Sequence, residues 1–523
     1  MPERKPNFLF IITDQHRADY LGCYGHPVVR TPHIDGLAAR GVSFDRFFVA
    51  SPVCMPNRAS LLTGRYPSAH GLRHNGNRLS TRANTFVDVL RESGYRTALI
   101  GKSHVQPMTG FPAEHRISPD ELGPITEAWR DDAADYDQED PARYKSERFY
   151  DFKTPYYGFD HVDMVTDHGD RCNGHYYQWL RQQEPRADQL RDRANQLAHD
   201  YECPQAIRTP LPERLYPTAF ITQKAKTFLK NVANKDRPFF AFVSFPDPHH
   251  PFTPPGRYWD MYNPSQFSLP PSYEDHKNPP PPLRWAHERL IEGNRDDRAQ
   301  EAFMARPREL REAMALTCGM ITMIDDAVGD LLNTLKETGQ DEDTVVVFNS
   351  DHGDYLGHFS LLLKGPLPFN SISRVPFIWS DPQNPNGGRT QSLTSTIDIA
   401  PTIVARAGLK PYWGMQGKSA LPSIERPGAE TRENLLIEFQ DGKPRMGFSE
   451  PAFVRTIIGS RYKLNLYKNE TWGELYDLEK DPDETNNLWS DSGSHAVRAE
   501  MTELLVRQMM EAVDQSPRAL RRA

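Results

Sequence analysis

The sequence predicts an α/β protein. We expect a large, mixed, mostly parallel sheet flanked by helices, then a smaller C-terminal α+β domain carrying an antiparallel sheet. Three observations predict it. Short apolar runs alternate with segments of helical spacing from residue 7 to about residue 407. Polar residues able to do chemistry follow directly after four of those runs. Beyond about residue 422 the texture changes to short, closely spaced strands. Alternation of the first kind is the signature of a sheet wound with helices on both faces.

The elements read in order as follows. Residues 7–13 (NFLFIIT) form a buried strand. Thr31-Pro32 opens a short helix that ends near Gly41, and 42–48 is a second strand. Pro56 suits the first turn of a helix, because its missing N–H has no partner to lose there, so Cys54 sits at or just before a helix N-terminus. Residues 84–92 are helical with Gly94 as a stop, and 96–100 is the next strand. From 105 to about 217 the pattern breaks up, which reads as a long insertion with short helices near 176–193. Order returns with a helix at 218–232, a strand at 238–245, a long helix or helix pair at 308–337, strands at 344–349 and 375–379, and a helix at 396–407. Strands at 435–439, 453–458, 462–466 and 474–478 make a meander, and a helix at 495–513 ends the chain. The expected domains are a catalytic unit at 1–421, with its insertion, and a C-terminal unit at 422–523.

Composition narrows the function. The chain has 523 residues, 38% hydrophobic and 25% charged, with a net charge of −8, so nothing global points to a nucleic-acid partner. Five cysteines, few and odd in number, argue against a disulfide framework and for a reducing compartment. The apolar run Phe8 to Ile12 is too short for a signal segment, and no stretch approaches a membrane span. These features lead us to expect a cytoplasmic protein without a membrane partner; self-association is left open.

The chemistry lies where strands end. Strand 7–13 is followed by Asp14 and Gln15, and strand 96–100 by Lys102 and His104. Strand 238–245 is followed by Asp247, His249 and His250, and strand 344–349 by Asp351 and His352. In a parallel sheet these carboxyl ends share one edge, the place where ligand sites form. Carboxylates with an imidazole suit a divalent metal. Cationic groups suit an anionic substrate. Each residue also has a plainer reading. Asp14 alone is more often a helix cap, Asp351-His352-Gly353-Asp354 a turn, Lys102 a solvated charge and Cys54 a small buried apolar residue. The plain readings weaken because all must hold together.

At this point the chain resembles a known family. Cys54-x-Pro56-x-Arg58-x-x-x-Leu62-Thr63-Gly64-Arg65 is similar to the sulfatase signature of the alkaline-phosphatase-like superfamily. Ile100-Gly101-Lys102-Ser103-His104 resembles its second motif, and Asp14 and Asp351-His352-Gly353 resemble its metal-binding positions. Glu474-Leu475-Tyr476-Asp477-Leu478, with Asp481-Pro482-x-Glu484-x-x-Asn487-Leu488, resembles its C-terminal tail. The resemblance implies that a formylglycine-generating enzyme oxidises Cys54 to formylglycine (3-oxoalanine), whose hydrate is a gem-diol. One hydroxyl attacks the sulfur or phosphorus of an ester and the alcohol leaves. The second hydroxyl then loses its proton, and the inorganic anion departs as the aldehyde re-forms.

The resemblance also implies roles. Asp14, Cys54, Asp351 and His352 surround one divalent metal, manganese or calcium. Arg58 orients the hydrate, Lys102 and Lys364 neutralise the transferred group, and His104 and His249 move protons. Gln15 and Asn75 would meet the substrate anion. Two departures bear on the activity. Many family members carry Asp-Asp and Asp-Asn at the metal positions. Here the pairs are Asp14-Gln15 and Asp351-His352, as in the phosphonate monoester hydrolase and phosphodiesterase branch, which moves the preference toward manganese or another transition metal. Lys102 and His104 are sulfatase-like. The expected activity is therefore sulfate monoester hydrolysis, with phosphonate monoester or phosphate diester hydrolysis as the alternative.

Overall fold

The computed structural model describes residues 5–113, 121–233, 236–297, 300–385 and 387–522. Residues 114–120 of the expected insertion lie outside them.

Alternation within the first strand sets the layers. Asn7–Thr13 is buried along its whole length. Leu9 and Ile11 face one core with Leu316, Ile321 and Leu331 of the long helix Pro307–Glu337 and with the helix Pro217–Val232. Phe8, Phe10 and Ile12 face the other, against Leu61, Leu62, Phe86 and Ile403 from the helices Cys54–Thr63, Phe86–Glu92 and Ile399–Arg406. A strand covered on both faces reads as a continuous apolar run, as this one does.

Nine strands make the main sheet. Their order is Gly388–Thr390, Val42–Phe44, Phe377–Ser380, Thr344–Ser350, Asn7–Thr13, Phe239–Ser244, Arg96–Gly101, His161–Thr166 and Asn173–Gly174. The four central strands run parallel, whereas Phe377–Ser380 is antiparallel to both of its neighbours. Register aligns the chemistry: Thr13 pairs with Ser350, Ile12 with Ser244, and Gly101 with Ser244. Asp14, Asp351, Lys102 and Asp247 therefore leave the sheet at one edge. Gly101 makes the tightest approach. A Cβ there would lie 1.9 Å from the Ser244 carbonyl oxygen, and its φ of +113° is one a side chain rarely adopts.

Two expectations need correction. Residues 42–48 are not one strand but two, Val42–Phe44 in the main sheet and Phe47–Phe48 paired with Thr394–Ser395. The 105–217 segment is not wholly an insertion, because His161–Thr166 joins the main sheet parallel to Arg96–Gly101. Asp163 and an exposed His161 interrupt the apolar run there, which hides the strand from a reading by hydropathy.

The C-terminal sheet follows the expected meander, with Leu435–Gln440, Phe453–Ile458, Tyr462–Tyr467 and Gly473–Asp477 antiparallel in sequence order. The helix His495–Glu511 buries Met501 and Leu505 against Leu436, Ile457, Leu464 and Leu475. The same cluster takes in Ala50, Tyr66 and Ile397, so the small sheet packs on the chain around the Cys54 helix. Among the described residues no helix is long and apolar enough to cross a membrane, and all five cysteines are free.

Candidate active site

The helix Cys54–Thr63 carries the centre of the site, and every residue in it is buried. Its N-cap, Val53, is extended and offers no side-chain cap. The cap comes from elsewhere: the exposed Asn75 accepts the Met55 N–H through Oδ1 at 3.2 Å. Asn57 fixes the helix start by accepting the Ala50 N–H at 3.0 Å and donating to the Asp351 carbonyl at 2.5 Å. Gly64, in the left-handed region at φ 63°, closes the helix.

Cys54 Sγ then lies 3.0 Å from His352 Nε2 and 3.7 Å from Asp14 Oδ1. Ligand atoms of Asp14, Cys54, Asp351 and His352 all fall within 4.8 Å of one another, and all four residues are buried. His352 Nδ1 lies 2.8 Å from the Gly353 carbonyl oxygen, which can only accept, so Nδ1 carries the proton. The Nε2 lone pair is thereby left facing Asp14 and Asp351, 3.5 and 3.6 Å away. Burial, then the charge of Lys364, brings this imidazole down to about 4, so it stays neutral. Two carboxylates and a neutral imidazole in one buried pocket fit a divalent cation. Burial and then the Asp14 charge push the Cys54 thiol up, so it is not a ready thiolate.

Arg58 ties the carboxylates together. Its Nε donates to Asp351 Oδ2 at 2.6 Å, and Nη1 donates to the Lys102 carbonyl at 3.0 Å and Ser244 Oγ at 2.9 Å. Its Nη2 stands 3.6 Å from Asp14 Oδ2. Burial works against the Asp14 anion, yet Lys102, His249, His168 and Arg58 together hold its carboxyl well below the usual range.

Two lysines reach in from different loops. Lys102 Nζ bonds Asp14 Oδ2 and donates to His168 Nε2 at 2.6 Å. Lys364 Nζ donates to Gln15 Oε1 at 2.7 Å and to His249 Nε2 at 2.8 Å. The rings of His168 and His249 stack at 3.5 Å with 12° between their planes, which joins the two lysine arms. His249 Nδ1 donates to the His250 carbonyl at 2.5 Å, fixing its tautomer as at His352. Gln15 is fully engaged: besides Lys364, its Nε2 donates to Asp354 Oδ2 at 2.5 Å and to His250 Nδ1 at 3.0 Å. His104 is buried at a left-handed φ of 61°, and its Nδ1 has no hydrogen-bond partner.

Asp14, Gln15, Cys54, Arg58, Lys102, His249, Asp351, His352 and Lys364 thus form one connected network, with His104 beside it and Asn75 at the helix start. Sequence reasoning missed His168 and Asp354. His168 carried the right signal, since it stands two residues after a sheet strand as the other site residues do, but the strand itself went unread. Asp354 accepts the Leu356 and Leu363 N–H groups at 2.8 Å each and so sets the loop that carries Lys364.

A carboxylate–imidazole pocket flanked by lysines, at the carboxyl edge of a mixed sheet, suits the binding of an anionic ester. The comparisons name its kind. The sulfatase family model matches residues 6–409, and an N-sulphoglucosamine sulphohydrolase C-terminal model matches 366–511. An arylsulfatase of Clostridium perfringens is 28% identical over 492 residues, covering 92% of this chain and 90% of its own. A multifunctional alkaline phosphatase superfamily protein of Trinickia caryophylli is 27% identical over 518 residues, covering 93% and 92%. The crystal structure of a phosphonate monoester hydrolase of Agrobacterium radiobacter superposes with a TM-score of 0.76 at 26% identity, covering 98% of this chain and 97% of its own. The chain belongs to the sulfatase family of the alkaline-phosphatase-like superfamily and is a sulfuric ester hydrolase.

Proposed function

We propose that the chain hydrolyses sulfate monoesters of the arylsulfatase kind, releasing an alcohol and inorganic sulfate, with a nucleophile made from Cys54. The observation that carries this reading is the placement of Lys102 and Lys364, joined through stacked His168 and His249, around the Asp14–Cys54–Asp351–His352 cluster. Such an arrangement suits an anion whose charge shifts during reaction.

Cys54, oxidised to formylglycine by a maturation enzyme and hydrated, supplies the attacking hydroxyl. Asp14, Asp351 and His352 would hold the divalent cation, for which the imidazole donor favours manganese over calcium. When bound, the cation supplies Lewis-acid polarisation of the attacking group and of the ester oxygens. Arg58 aims the Asp351 carboxylate through its bond at 2.6 Å. Lys102 and Lys364 meet the oxygens of the transferred group through charge-assisted hydrogen bonds. His249, with Nδ1 committed to a carbonyl, presents Nε2 for proton transfer, and His104 keeps a buried, unpartnered Nδ1 for the same work. Asn75 stands at the helix N-terminus, where anions are favoured.

A second reading has its own support. Gln15 and His352 match the phosphonate monoester hydrolase branch, and the Agrobacterium enzyme is a full-length structural neighbour. Comparing kcat/KM for an aryl sulfate, an aryl phosphate diester and a phenylphosphonate ester separates the two. Highest kcat/KM on the sulfate is expected, and dominance of the diester or phosphonate overturns the first reading. Mass spectrometry of the tryptic peptide 47–58, from protein made with the maturation enzyme, tests the nucleophile. An intact thiol in every active molecule would rule out the aldehyde.

A further inference from the structure

His104 has an unusual support. It follows a strand end and sits in the left-handed region at φ 61°, a conformation that non-glycine residues seldom hold without outside bonds. Three successive amides around it, those of His104, Val105 and Gln106, point to one carboxylate, that of Glu139. The distances are 2.8 Å to Oε2 and 3.1 Å and 3.1 Å to Oε1. Consecutive N–H groups turned inward by a left-handed residue make a concave anion site. Here the acceptor is a carboxyl group built into the chain, where burial pushes its pKa up and the Tyr156 and backbone donors work against that. Glu139 is fully buried, and Tyr156 donates to its Oε1 at 2.6 Å. Gln106 adds a second tie by accepting the Gln138 N–H at 3.1 Å and donating to the Asp135 carbonyl at 3.1 Å. The segment after the Lys102–His104 loop therefore returns to hold that loop.

We infer that Glu139 is the positioning residue for His104, fixing through three backbone N–H bonds the rotated backbone that aims the imidazole at the transferred group. This rests on the proposed role of His104 in proton transfer. Among the described residues Glu139 hydrogen-bonds to the His104, Val105 and Gln106 amides and to Tyr156 and to no member of the buried ligand cluster, so its effect on chemistry passes through the loop. Glu139→Gln keeps the shape but turns one acceptor into a donor facing amide donors, which loosens the clasp. Misplacement of a catalytic group by about 1 Å costs on the order of 100-fold.

A double-mutant cycle tests this, measured with whichever ester class the enzyme turns over fastest, so that an error in the sulfate reading leaves the cycle readable. Glu139→Gln alone is expected to lower kcat by about 10-fold to 100-fold with KM changed less than about twofold. In the His104→Ala background the same change is expected to lower kcat by less than about twofold, because the group it aims is gone. The loss of thermal midpoint is expected to be equal in both backgrounds, since the clasp is structural in each. An equal fold-loss of kcat in both backgrounds, or no loss in the single variant, overturns the inference. Glu139→Asp, which keeps the charge and shortens the reach, runs through the same cycle should the glutamine variant fold poorly.

Discussion

Arg58 offers the sharpest test of how the site is held together. Its side chain is 1% exposed and faces two carboxylates that are 0% exposed. Arg58→Met keeps the length and removes the charge. Asp14 retains Lys102, but Asp351 loses its cation at 2.6 Å. The Lys102 carbonyl and Ser244 Oγ lose a donor as well. Removing one partner of a buried pair costs about 3–5 kcal/mol. For a cooperative unit of roughly 400 residues unfolding with about 2.1 cal/mol/K per residue, that is a fall in Tm of about 4–6 °C. Arg58→Lys keeps the charge and gives up part of the fork, at about 1 kcal/mol per lost neutral bond, so it should fall between wild type and Arg58→Met. Thermal unfolding is followed in EDTA and again in millimolar manganese. A cation between Asp14 and Asp351 would replace the missing charge, so the Arg58→Met deficit should shrink with metal. A deficit below about 1 °C in EDTA would refute the energetic argument. A deficit that manganese leaves unchanged would refute the placement of the cation.

Two further outcomes follow from buried titratable groups outside the ligand cluster. His358 donates Nε2–H to the Asp483 carbonyl at 2.8 Å and accepts from Ser371 Oγ at 3.1 Å; burial, then Arg17, brings its imidazole down to about 3. The folded state keeps it neutral while the unfolded chain takes a proton below about pH 6.5, so stability is present above that pH and lost as pH falls, by about 2 kcal/mol at pH 5. His358→Gln should therefore narrow the Tm difference between pH 7.5 and pH 5, and an undiminished difference would assign the acid loss to other groups. Lys463 and Glu484, both 0% exposed and 2.7 Å apart, form a buried ion pair under the C-terminal sheet. Lys463→Met should cost about 3–5 kcal/mol in denaturant titration. Lys463→Met with Glu484→Gln should recover part of it; no recovery would mean the pair is not the source.

Much of this fold was legible because a parallel strand buried on both faces writes itself as an apolar run, and its chemistry follows at once. Asp14, Lys102, His104, His249, Asp351 and His352 were found that way. Direction was not legible: nothing in residues 375–379 marks Phe377–Ser380 as antiparallel, since its burial is the same either way. The strand His161–Thr166 was lost because Asp163 breaks its apolar run, and His168 was lost with it. Lys364 came from the family resemblance alone. It follows no strand of the main sheet. Its loop holds Leu356, Phe359, Ser360 and Leu363 at positive φ, and propensity assigns such residues to no element. The cap supplied to the Cys54 helix by Asn75, 20 positions away, is equally invisible to local pattern.

The buried Lys463–Glu484 pair reaches further than its own sheet. Lys463 Nζ also bonds the Pro368 carbonyl, and Glu484 Oε2 accepts the Asn370 N–H at 2.6 Å. Those two residues lie four and six positions beyond Lys364. On the other side, Asp354 grips Leu363, the residue just before it. The lysine is thus strung between two moorings, one from each sheet. Loss of order in the C-terminal sheet would slacken one end of that span and let the ammonium drift from His249. With Lys364 in its proposed role, turnover and the folding of the tail would be thermodynamically coupled, although the proposed chemistry lies at the edge of the other sheet.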